Sequence, residues 1–296
     1  MSATPGRTIS LVAIQNANLA MLSALRDEVV RLFDSHADGD TLATQTLQQL
    51  FRYMSERSQT VSFLVSREYA WDAEIILRSF YEAAAKIVFI CKAQPSEKEA
   101  LAKEFWDAVG LAGDRRRARK AEFAEAVLKG DPSSARIFEH LRRPGALRDA
   151  ESPGNRAARK AIDKKWSFSE IVETLEGELP GAKSLLHMYG MASHLIHADA
   201  GALELMIDRT LRQPEELQLL RASHACRILS DLASLWYLCA ACLAGHLGVK
   251  FSEGKELGKQ LRECLDMSEP LHRLFAESQN DFYERELGDP DAPEVP

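Results

Sequence analysis

Residues 73–90 read AEIILRSFYEAAAKIVFI, and this stretch decides the fold class. Glu74, Arg78, Glu82 and Lys86 recur every four residues, so a helix gathers them on one stripe. Leu77, Phe80, Tyr81, Val88 and Phe89 crowd both sides of that stripe, which makes the segment a helix facing a core. The same periodicity runs outward. Leu11, Ile14, Leu19, Leu22, Leu25, Val29 and Leu32 mark a helix over 9–33, ended by the turn residues of 36–41. A second helix is expected over 41–66 and a third over 68–92, closed by Pro95. Short loops make these three antiparallel, the first half of a bundle.

The rest of the composition agrees. The chain has 296 residues, 46% hydrophobic and 27% charged, and it is dominated by Ala, Leu, Glu and Arg. These residues lose little freedom in a helix, and runs of Val, Ile and Thr are scarce. The expected fold class is all-α: a multi-helix bundle of long antiparallel helices, one domain over 1–287, with a disordered acidic tail over 288–296. The first ten residues lack an apolar core and a small-residue cleavage site, and five cysteines leave at least one unpaired. A reducing, cytoplasmic location is the expectation. Residues 232–249 carry no Lys, Arg, Asp or Glu, but Ala, Ser, Gly, Tyr and His246 dilute them. They read as a buried bundle helix, with no membrane partner expected.

Charge divides the chain unevenly. Residues 114–165 hold 15 Lys and Arg against 8 Asp and Glu, which leaves the remainder at −14 within a total of −7. Gly130-Asp-Pro132, Arg143-Pro-Gly145 and Ser152-Pro-Gly154 punctuate this basic segment, so it reads as a loop-rich excursion in the middle of the bundle. Before it, Ser96-Glu-Lys-Glu99 fits a capping box opening a helix to about residue 111. After it, helices are expected over 166–179, 182–198, 214–248, 252–265 and 269–287.

Four constellations could carry chemistry. The charge stripe of 74–86 is either a solvated ladder or an inward-facing set that needs partners on another helix. His187, His194 and His197 fall at i, i+7 and i+10, so one helix face can present three imidazoles to a metal, a substrate or simple packing. Cys239-Ala-Ala-Cys242 with His246 has the spacing of a metal or redox pair, yet it lies mid-helix in an apolar run and reads as core. Arg115, Arg116, Arg117, Arg119 and Lys120 begin a basic surface that is either simply solvated or able to attract RNA or DNA phosphates, with few aromatics to stack on bases. No P-loop, Gly-x-Gly-x-x-Gly or Gly-x-Ser-x-Gly is present.

Ile76-Leu-Arg-Ser-Phe-Tyr-Glu82, Trp166 leading into Ser169-Glu-Ile171, and Tyr189-x-x-x-Ser193-x-x-x-His197 resemble a large family of uncharacterised bacterial all-helical proteins over about residues 40–210. That family is distantly similar to HEPN proteins, helical dimers that include metal-independent RNases of toxin–antitoxin and phage-defence systems. The resemblance implies a composite site with Arg78, Glu82, Ser193 and His197 as catalytic groups. Tyr189, His194, Arg115, Arg116 and Arg117 would bind substrate, with no metal and no cofactor. HEPN RNases use Arg-x4-6-His. Gly190 stands where many relatives carry the arginine, and Arg31-Leu-Phe-Asp-Ser-His36 also fits the spacing. Three functions are therefore expected: an RNA endonuclease of a defence or toxin–antitoxin system, a non-catalytic interaction or structural protein of such a system, or a metal-dependent helical-bundle enzyme. The expected partners are RNA, a second copy in a homodimer resting on the apolar faces of 9–33 and 214–248, or another protein.

Overall fold

A computed structural model describes residues 11–36, 41–128, 153–197 and 199–287, without the side chains of 111–118, 153–155, 188, 191, 194, 286 and 287. The described residues are all-α, with no strand among them. The helices in chain order are α1 (Leu11–Asp34), α2 (Leu42–Ser66), α3 (Ala70–Lys92), α4 (Lys98–Glu104), a π-turn (Phe105–Val109), α5 (Gly110–Val127), α6 (Pro153–Lys165), α7 (Phe168–Leu175), α8 (Ser184–His197), α9 (Ala200–Leu211), α10 (Pro214–Leu247) and α11 (Gly254–Leu287). They group into two compact units, one within 1–38, 49–88 and 184–296, the other within 39–48 and 89–183.

The first unit is organised by α10, which packs against both α1 and α11. Ile228, Leu229, Leu232, Trp236, Cys239 and Leu243 are all buried, which explains why this helix is apolar on nearly every side. By length and composition α10 is long and apolar enough to cross a membrane, and 61% of its apolar window is buried within the protein. The ring of Phe51 sits 5.8 Å from Phe33 and 5.9 Å from Trp236, joining α1, α2 and α10. Cys239 and Cys242 are both buried, and the Cys239 thiol donates to the Ala84 carbonyl at 3.7 Å. Pro214 opens α10 within a reciprocal cap between Gln213 and Glu216, and Gly248 closes it at φ 66°, a left-handed turn that glycine adopts without strain. Glu216 also pairs with Arg285 of α11 at 2.7 Å, which with the Gln213 N–H holds its carboxyl down to about 2.

Two elements differ from the sequence expectation here. The two helices expected over 252–265 and 269–287 are one 34-residue helix with Pro270 inside it. Proline removes one helical hydrogen bond, but Leu257, Leu271 and Phe282 are buried and hold both halves in line. Helix α9 was not expected. It starts because Asp199 Oδ1 accepts from the Ala202 N–H at 3.1 Å, a short polar cap that an alanine- and glycine-rich segment concealed.

In the second unit, α4 does not use Ser96 in a capping box. Its N-cap is Glu97, with no side-chain bond, and Glu99 Oε1 instead accepts from the Ala43 N–H at 3.0 Å, capping α2. The helix expected to stop near 111 continues through the π-turn to Val127. Trp166 anchors this unit: its Nε1 donates to Glu104 at 2.7 Å and its ring lies 5.3 Å from Phe105 and 5.5 Å from Phe89. Of the basic segment, 129–152 lies outside the described residues, as does the tail from 288 onward.

Replacing Trp236 by alanine empties the centre of the first unit, and a loss of about 3–5 kcal/mol in unfolding free energy is expected. Urea titration measures it, with exposed Val12→Ala as the control that should move stability by less than about 0.5 kcal/mol.

Candidate functional site

The stripe on α3 faces inward. Glu74 is 1% exposed and Arg78 23%, so the solvated-ladder reading does not hold for this half of the helix. Glu74, Arg78 and Glu82 each find a partner on another helix of the first unit, and Lys86 meets only Glu82 of its own helix. Arg78 donates from Nη1 to Ser193 Oγ at 3.1 Å and from Nη2 to Tyr189 Oη at 2.8 Å. Tyr189 in turn donates its proton to Glu82 Oε1 at 2.7 Å, and the Arg78 guanidinium lies 4.5 Å from the centre of the Tyr189 ring. Glu82 also stands 3.6 Å from Arg78 Nε and 3.9 Å from Lys86 Nζ. Burial, followed by the hydrogen bond to Glu82, raises the Tyr189 hydroxyl above its ordinary pKa, while burial lowers the Lys86 ammonium.

Of the residues named from sequence, the structure brings Arg78, Glu82, Tyr189 and Ser193 together. His197 lies one turn beyond Ser193, about 6 Å further along the axis of α8. It is exposed and hydrogen-bonds to none of the four. The side chains of His194, Arg115, Arg116 and Arg117 lie outside the described residues. Arg31, the other arginine at HEPN-like spacing, is held by Glu28 through two hydrogen bonds of 2.6 Å. Among the described residues no group of three or more His, Cys, Asp or Glu is arranged to hold a metal ion.

A second network escaped the sequence reading. Glu74 pairs with Arg227 of α10, Arg227 Nη1 donates to Asp231 at 2.7 Å, and the Tyr81 hydroxyl donates to the same Asp231 oxygen at 2.7 Å. Burial raises the carboxyls of Glu74 and Asp231 and the hydroxyl of Tyr81. The signal was present in α10, where Arg227 and Asp231 stand at i, i+4 spacing among buried apolar residues. Beside this network His224 stacks on Trp71, with ring centres 5.3 Å apart, and burial lowers its pKa to about 3.

Fold and site together define an all-helical protein in which two networks of inward-facing charged and polar side chains tie α3 to α8 and to α10. Residues 45–214 match a family of unknown function, DUF5677, and the chain belongs to that family. The match spans both sides of the Arg78 network and ends before Arg227. No curated protein and no solved structure matches the chain.

The neutral His224 makes stability pH-dependent. The unfolded chain takes up a proton at this histidine near pH 6.5, whereas the folded chain resists it down to about 3. Its contribution is therefore full above pH 6.5 and falls as the pH drops, by about 2 kcal/mol at pH 5. The raised carboxyls of Glu74 and Asp231 act in the opposite sense, because they bind protons more readily when folded. His224→Gln removes the histidine's part alone. Between pH 7 and pH 5 the variant should lose about 2 kcal/mol less than the wild type in urea titrations, and equal losses would contradict a buried neutral imidazole.

Proposed function

We infer that this chain is a non-catalytic interaction protein, a cytoplasmic component of a defence or toxin–antitoxin system, in which Arg78, Glu82, Tyr189 and Ser193 form a polar lock between α3 and α8. The observation that carries this reading is mutual satisfaction. The Tyr189 oxygen gives its proton to Glu82 and accepts from Arg78, and Arg78 reaches Ser193 with its other terminal nitrogen. A general base needs a partner that orients it, and His197 has no hydrogen-bond partner among the described residues. A Cβ placed on Gly190 would meet open space. Gly190 stands where many HEPN-type relatives carry the motif's arginine, which further supports a chain without nuclease chemistry.

One observation favours the second reading, a metal-independent HEPN-like RNA endonuclease. Arg78 is partly open to solvent, and exposed His197 follows Ser193 on the same side of α8. Such a pair would serve a phosphodiester, the guanidinium stabilising the phosphorane and the imidazole moving the proton.

One set of variants separates the two. Tyr189→Phe removes the hydroxyl that bridges Arg78 and Glu82, and should cost about 1–3 kcal/mol of stability. RNA incubated with the wild type in EDTA should remain intact. Cleavage that disappears in His197→Ala would establish the nuclease and overturn the lock as the whole function. A homodimer belongs to the proposal: light scattering should give twice the 33.0 kDa chain mass, and a monomeric mass removes it.

A further inference from the structure

A pocket of about 520 Å³ opens within the first unit, walled by residues of α3, α8, α9, α10 and α11. Its size falls in the range of small-molecule sites, and its walls are mainly apolar, with Leu195, Leu205, Leu220 and Phe275 among them. Two buried polar atoms in the wall, Glu74 Oε1 and His224 Nε2, have no hydrogen-bond partner among the described residues, and the half-buried Arg209 stands in the same wall. Glu74 Oε1 is buried with no hydrogen-bond donor among the described residues, although the other oxygen of the same carboxylate is held by Arg227. Arg209 donates from Nε to the Leu205 carbonyl at 3.0 Å and lies 4.2 Å from the centre of the Trp71 ring, but its terminal nitrogens donate to no acceptor among the described residues.

Three of the neighbouring charges are already matched. Asp208 is bound by Arg212, and Arg227 by Glu74 and Asp231. Arg209 is thus a cation at the wall of an apolar pocket that hydrogen-bonds to no anion among the described residues and feels only the longer-range charges of Asp208 and Asp72. The vacant acceptor at Glu74 lies in the same wall, beside the flat faces of Trp71 and His224. A buried polar group without a partner destabilises the fold, and an occupant that supplies both a donor and an anion satisfies the wall.

We propose that this pocket binds a small aromatic carboxylic acid. Its carboxylate meets Arg209, its ring lies among the leucines and Trp71, and an N–H or O–H on the ring donates to Glu74. This ligand site is separate from the Arg78 lock, and it stands whether or not the chain cleaves RNA. Burial and the nearby charge of Arg221 lower the pKa of Arg209, against the opposing pull of Asp208 and Asp72. The occupant's anion would reverse that shift.

Calorimetric titration of the full chain with indoleacetate and with tryptamine tests the proposal, because the two share a ring and differ in the sign of the side-chain charge. Indoleacetate should bind, and tryptamine about tenfold more weakly or worse. Arg209→Gln should abolish that preference, and Leu205→Trp, which fills the pocket, should abolish binding of both. If Arg209→Gln fails to fold, the comparison of the two compounds on the wild-type protein still decides. No binding of indoleacetate at millimolar concentration, equal or tighter binding of tryptamine, or unchanged binding in Leu205→Trp each overturns the proposal.

Discussion

Charge buried on α3 is the constraint on which the rest of the first unit depends. Glu74 leaves water and Arg78 loses most of its contact with it when α3 packs, and a fully buried ion destabilises the fold by several kcal/mol unless a partner meets it with good geometry. Glu74 is met by Arg227, and Arg78 by Ser193, Tyr189 and Glu82. These requirements reach beyond α3. The carboxylate fixes which face of α10 turns inward, and the guanidinium fixes the rotation of α8. Hydrophobic burial supplies most of the stability but is non-directional, so the ion pairs and hydrogen bonds are what specify one arrangement of these helices over another.

Helix α8 carries the consequence most plainly. Tyr189 and Ser193 point to α3, while His187 and Leu195 line the pocket shared with α9, α10 and α11. Residues two apart on a helix lie about 200° from one another, so one short element serves two environments without conflict. The polar side is saturated and the pocket side is not. Glu74 joins the two regions, because one of its oxygens completes the network with Arg227 and the other faces no donor among the described residues.

The second unit is held differently. Trp166 uses its indole N–H on Glu104 and its ring on Phe89 and Phe105, while Trp106 donates to Thr46 at 2.8 Å. Two tryptophans thus supply both the apolar contact and the directional bond, in a region whose helices α5 and α6 are strongly basic. The π-turn at Phe105–Val109 inserts an extra residue just where Phe105 and Trp106 must reach different neighbours.

Periodicity in the chain alone determined the all-α class, the start of nearly every long helix and the stripe of Glu74, Arg78, Glu82 and Lys86, because spacing fixes where a side chain points around its own helix axis. It also picked out Tyr189 and Ser193, which share one side of α8. Tertiary structure decided what each stripe faces. Nothing local distinguishes a solvated ladder from a buried one, and nothing in the spacing of Arg227 and Asp231 shows that Glu74 and Tyr81, some 150 residues away, are their partners. Packing likewise carried α11 through Pro270 and moved Glu99 from its own helix to the first turn of α2, because contacts between distant segments outweigh local preferences worth about 1 kcal/mol each.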